Sequence, residues 1–163
     1  MRIIRDRRIV EDSFVHLDEH APVPPGVGVV LPWSRWLAER ASLADRDAPV
    51  GVRVAATIDL ATLVDALSSL AVVAIEIPKF TDGRAYSLAR RLRGAAGFTG
   101  ELRAVGDVLR DQLLFLSRCG FDAFELAPGR SLEDALEAFG DHERHYQSSA
   151  DRTRPLWTRP SAG

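Results

Sequence analysis

Val72-Val73-Ala74-Ile75-Glu76-Ile77, running into Pro78-Lys79-Phe80-Thr81-Asp82-Gly83-Arg84, is the stretch that decides the fold. Six residues, apolar apart from Glu76 and rich in β-branched side chains, are too few for a buried helix and read as a strand covered on both faces. Such strands belong to parallel sheets, in which each strand is followed by a crossover helix. The residues after Gly83 supply that helix, with Ala85, Leu88, Ala89, Leu92 and Ala96 recurring on one side.

The same alternation extends in both directions. Upstream, Val27 to Leu31 and Val50 to Ala56 read as strands. Trp33, Trp36, Leu37, Arg40 and Ala41 have helical spacing, and Asp59 stands as an N-cap before the stripe Leu60, Leu63, Val64 and Leu67. Downstream, Leu102 to Val105 and Phe121 to Leu126 are strands, separated by a helix carrying Leu109, Leu113 and Leu116. Ser131 with Asp134 resembles a capping box ahead of Leu132, Ala135, Leu136 and Phe139. The fold class predicted is α/β: a mainly parallel sheet of about five strands with crossover helices, flavodoxin-like or a partial βα barrel. A short N-terminal β-hairpin over residues 2–17 precedes it, linked by Pro22, Pro24, Pro25 and Gly26. Residues 1–140 are predicted to form one domain, and 141–163 a polar C-terminal tail.

Composition narrows the chemistry. The chain has 163 residues with 46% hydrophobic and 27% charged, as in a globular domain. No apolar run approaches the roughly 20 residues of a membrane span, and Met1 to Val10 alternates charge with Ile and Val, unlike a signal peptide. Cys119 is the only cysteine, so the chain alone forms no disulfide and cannot supply the ligands of an iron–sulfur cluster or an all-cysteine zinc site. A reducing, cytoplasmic setting fits. Nucleic-acid binding is not expected of an acidic chain without a recognised motif. No metal site is expected either: His142 and His145 have HxxH spacing but no evident third and fourth ligand.

The net charge of −2 conceals an uneven distribution: residues 79–120 carry eight basic side chains and four acidic ones. A basic middle in an acidic chain points to a small anion or an acidic partner, or to arginines spread on solvated faces. Ligands of parallel α/β folds bind where strands end at their carboxyl edge. Two such junctions are polar. At the first, Asp82, Arg84 and Ser87 surround the start of a helix, either as an anion site or with Asp82 as a cap and Arg84 paired to a neighbour. At the second, Asp107, Arg110 and Gln112 stand together. Asp107 is placed to act as general base or simply to cap, and Gln112, turned toward the apolar side of its helix, needs a partner. Cys119, before Gly120 at a helix C-terminus, reads as a buried structural thiol. Trp157, between Arg154-Pro155 and Arg159, is a partner anchor or tucks back on its own domain.

Three runs carry a family likeness: residues 75–93 from Ile75-Glu76-Ile77-Pro78-Lys79 through Arg90-Arg91-Leu92-Arg93, then Gly100-Glu101-Leu102-Arg103-Ala104-Val105-Gly106-Asp107-Val108-Leu109-Arg110-Asp111-Gln112, and Arg118-Cys119-Gly120-Phe121-Asp122-Ala123-Phe124. With Tyr146-Gln147 near its end, a region of roughly residues 1–147 resembles the bacterial family catalogued as domain of unknown function 934. Members of that family are typically encoded beside an assimilatory sulfite reductase and labelled as oxidoreductases of sulfite reduction. The resemblance implies a role in sulfur assimilation, with sulfite reductase as the partner, and brings no catalytic residue and no cofactor with it. Two functions follow as expectations: an accessory protein of sulfite reduction, docking on the reductase through the basic 79–120 segment, or a small enzyme acting on an anionic sulfur-pathway or phosphorylated metabolite at the rim of Asp82, Arg84, Ser87, Asp107, Arg110 and Gln112.

Overall fold

The computed structural model describes residues 1–78 and 83–140. Eight strands form one sheet: β1 Arg2–Arg5, β2 Arg8–Glu11, β3 Phe14–His16, β4 Gly28–Pro32, β5 Val50–Ala55, β6 Val72–Ile77, β7 Glu101–Gly106 and β8 Ala123–Phe124. Helices α1 Trp33–Leu43, α2 Leu60–Val64, α3 Arg84–Arg93 and α4 Leu113–Arg118 connect them, and a further helix runs over residues 132–140. Asp59 caps α2, its carboxylate accepting from the Ala61 N–H at 3.2 Å. Asp59→Ala is expected to cost about 1 kcal/mol, read as a small shift of the urea midpoint without a change in slope.

The sheet departs from the expectation of about five mainly parallel strands. It is one mixed, curled sheet of eight, a half-barrel, in the order β2-β1-β8-β7-β6-β5-β4-β3. The sequential order from β3 to β8 excludes a flavodoxin-like arrangement, which needs a reversal of strand order. The hairpin is not a separate appendage either. Asp6 and Arg7 take positive φ values of 49° and 59°, the turn that matches strand twist in a two-residue hairpin, and β1 then pairs antiparallel with β8. Phe14–His16, too short to register as a strand by pattern, pairs parallel with β4.

This order has a geometric consequence. The sheet begins with β2 and ends with β3, yet only Asp12 and Ser13 separate them in the chain. β2 is antiparallel to β1, β1 is antiparallel to β8, and β8 is parallel in turn to β7 and the strands down to β3. β2 and β3 therefore point the same way and form one bent run, which fixes the curl.

Curling gives the sheet two cores. Outward residues Val52, Val54, Val73, Ile75, Leu102, Ala104 and Phe124 pack with Leu63, Leu88, Leu92 and Leu116 of the helices. Inward residues Val30, Val72, Ala74 and Val105 form a second, smaller cluster with Phe14. Gly51 lets β5 sit close against β6: a Cβ there would stand 2.7 Å from the Cβ of its register partner Val72.

Candidate functional site

Period-two alternation places the next inward residues of the strands inside the curl, and these are charged. Register aligns Arg53 with Ala74, Ala74 with Arg103, Arg103 with Ala123, and Ala123 with Arg5. Three arginines thus share one layer, spaced by alanines that leave room for them. One step toward the amino ends, Glu101 is level with Val72; one step toward the carboxyl ends, Glu76 is level with Val105. A basic layer lies between acidic ones, and the contacts follow. Arg53 Nε is 3.1 Å from Glu76, Arg103 Nε 2.7 Å from Glu101, and Arg5 Nη1 3.5 Å from Glu101.

Arg103 is fully buried, and the Asp12 side chain that meets it is 1% exposed. The pair is bidentate, Nη1 donating to Asp12 Oδ2 at 2.7 Å and Nη2 to Oδ1 at 2.9 Å. Phe14 lies beneath the guanidinium, its ring centre 5.7 Å away, and its N–H also donates to Asp12 Oδ1. Burial works against the Arg103 charge, but the Asp12 and Glu101 carboxylates outweigh it and hold the guanidinium more firmly protonated than usual.

Above this layer a cavity of about 250 Å³ opens at the carboxyl ends of the strands, lined by His16, Arg53, Glu76, Ile77, Pro78, Val105, Gly106 and Glu125. His16 ends β3 and Glu125 follows β8, far apart in the chain and several strands apart in the sheet, yet the curl brings them together. His16 Nε2 is 3.1 Å from Glu125 Oε2 and 3.3 Å from Arg103 Nη1. The imidazole, with Arg103 behind it, holds the Glu125 carboxyl below the ordinary glutamate range against the opposing effect of burial. Glu125 Oε2 is nonetheless buried without an aligned hydrogen bond. Gly106, at φ +99°, keeps the β7 end clear; a Cβ there would stand 2.7 Å from the Ile77 carbonyl oxygen. One acid–base pair, one arginine and one further carboxylate around a small cavity are a chemically capable set.

The residues singled out from sequence fall elsewhere. Asp82 lies outside the described residues, as do Lys79, His142, His145 and Trp157. Arg84 opens α3, and with Ser87 and Arg91 it lines an open depression against Ala56, Thr57 and Ile58. Arg110 turns instead to Asp134, its Nε donating to the backbone oxygen at 2.9 Å with the carboxylate at 3.4 Å. Gln112 finds the partners its burial requires: Oε1 accepts from the Leu109 N–H and Nε2 donates to the Tyr86 hydroxyl, both at 3.1 Å. Burial, above all, raises the Tyr86 hydroxyl pKa. Asp107 is partly buried and its N–H donates to the Ile77 carbonyl at 2.8 Å; it does not occupy the N-cap position of the turn after it, which falls to Leu109. Cys119 is buried.

Sequence reasoning missed His16, Arg53 and Glu125 as a set. The available signal was charge at inward positions of otherwise apolar strands: Arg53 in Val-Gly-Val-Arg-Val-Ala, Glu76 in β6 and Arg103 in Glu-Leu-Arg-Ala-Val-Gly. Among the described residues no three His, Cys, Asp or Glu side chains are grouped to hold a metal, and no helix is long and apolar enough to cross a membrane.

Fold and cavity define an α/β protein whose sheet curls round a charged interior and opens at the carboxyl ends of its strands. The chain belongs to the family described as bacterial protein of unknown function, DUF934, whose model matches residues 51–157. No curated protein and no solved structure matches it. Arg53, Glu76, Arg103 and Glu125 lie inside the matched stretch; Asp12 and His16 precede it.

Proposed function

We propose that this protein serves assimilatory sulfite reduction in the bacterial cytosol by binding, and acting on, a small polar metabolite in the strand-end cavity. The pathway is the one the resemblance to the family implies. The observation that carries the rest is the cavity itself, with His16, Arg53, Glu76 and Glu125 converging above a buried Arg103–Asp12 pair. Strand carboxyl ends are where strand–helix units place their ligands, and an imidazole beside an ionised carboxylate is suited to moving a proton.

A second reading is an accessory protein that docks on sulfite reductase. It is favoured by the exposure of Arg84, Arg90 and Arg91 on α3, which would steer an acidic partner. The basic 79–120 segment is smaller as a surface than its composition implies, because Arg93 is half-buried and Arg103 is inside.

Growth separates the two. A strain lacking the gene is expected to grow on sulfide but not on sulfite as sole sulfur source, with wild type restoring growth. His16→Ala and Arg53→Ala are expected to fail to complement, while Arg90→Ala/Arg91→Ala succeeds. The opposite pattern would favour docking, and unchanged growth of the deletion strain on sulfite would remove the protein from this pathway.

A further inference from the structure

We infer that the strand-end cavity is a site for a small zwitterion of the α-amino-acid type, its ammonium taken by Glu125 and its acidic group by Arg53. This rests on the reading of the cavity as the functional site and adds the class of ligand. The first support is the buried Glu125 Oε2, which lies 3.1 Å from His16 but makes no aligned hydrogen bond. A buried carboxylate oxygen in that state calls for a donor.

The second support is that His16 offers Glu125 one donor at most, and that one out of line. Its Nε2 faces Glu125 Oε2 at 3.1 Å and Arg103 Nη1 at 3.3 Å. One ring nitrogen carries at most one proton. Without it, Nε2 accepts from the guanidinium and offers Glu125 nothing. With it, Nε2 has a single N–H for Glu125 and stands beside a guanidinium that can only donate. A ligand ammonium has three donors: it meets Glu125 on the part of the carboxylate side chain that faces the cavity, 27% exposed in all, and leaves His16 to accept from Arg103.

The third support is the mixture of signs in so small a space. Arg53 lines the same cavity, and its five N–H donors exceed what Glu76 alone accepts. A ligand with a single charge meets a like charge on one wall, since Glu76 and Glu125 oppose an anion and Arg53 opposes a cation. A ligand carrying both charges meets a partner on each side. Pro78 and Val105 leave an apolar wall for a short side chain.

The test is calorimetric titration and thermal melting of the full chain with the common α-amino acids, against acetate, sulfite and ethylamine at matched concentrations. At least one amino acid is expected to bind and raise the melting temperature, with acetate and ethylamine inert. Glu125→Gln and Arg53→Gln, checked for fold by circular dichroism, are each expected to weaken that binding at least tenfold. Binding of sulfite or acetate through Arg53, unaffected or improved in Glu125→Gln, would keep the cavity as the site and overturn the zwitterion. If no probe binds while Arg53→Gln still fails to support growth on sulfite, the ligand class alone is wrong. If no probe binds and both variants grow as wild type, the cavity reading falls with it.

Discussion

Arg103→Ala is expected to destabilise the fold by about 3–5 kcal/mol, the cost of leaving buried carboxylates without their cation. The guanidinium is fully buried and holds Asp12 through two bonds and Glu101 through a third. Asp12 is the step between β2 and β3, so the lost contact lies where the two ends of the curled sheet are joined. At about 2–4 °C per kcal/mol for a chain of this size, the melting temperature falls by roughly 6–20 °C. Arg103→Lys recovers only part of this, because an ammonium cannot reproduce the bidentate fork. The diagnostic measurement is a double-mutant cycle with Asp12→Ala: once Asp12 is gone the second substitution costs much less, and the two effects fall well short of additive. Additive losses would show that Arg103 acts by filling space rather than by holding Asp12.

Arg93→Ala ranks second, at about 2–4 kcal/mol, the loss of several charge-assisted hydrogen bonds partly made good by water. Arg93 ties the end of α3 to three successive pieces of the fold. Nε donates to the Gly120 carbonyl at 2.9 Å, and Nη1 to the carbonyls of Phe98 and Gly100 at 2.7 Å each. Nη2 donates to Asp122, whose other oxygen accepts from the Leu102 N–H. Burial pushes the Asp122 carboxyl up, and the Leu102 N–H and Arg93 counter it. Without Arg93 the turn before β7 and the turn before β8 both lose their anchor. Hydrogen exchange should show increased opening at Phe98–Gly100 and Gly120–Asp122 while the inner cavity stays protected. A variant with uniform protection would mean that water replaces the guanidinium at no cost.

Local order was legible because it depends on neighbours in the chain. The run Val72–Ile77 is a strand with the predicted bounds, since β-branched residues between turn signals have few alternatives. Asp59 caps α2 because its carboxylate needs only the N–H two residues on. Ala85, Leu88, Ala89 and Leu92 are buried on one side of α3, as helical spacing requires. The need of Gln112 for a partner was also readable, although its partner, Tyr86, was not.

The site was not legible, for a reason of distance. Asp12 and Arg103 are 91 positions apart, and His16 and Arg103 are 87 apart; no local pattern relates them. In β5, β6 and β7 the sequence by itself determined that Arg53, Glu76 and Arg103 alternate with apolar neighbours, so that each points to one face. It did not determine that this face would be the inside. That was decided by the curl of the sheet, which follows from β2 and β3 being one short run pairing at opposite ends. Curvature encloses one face and sets charges on distant strands against one another. On a flat sheet the same arginines and glutamates would face solvent, and a cavity bounded by His16 and Glu125 would not form.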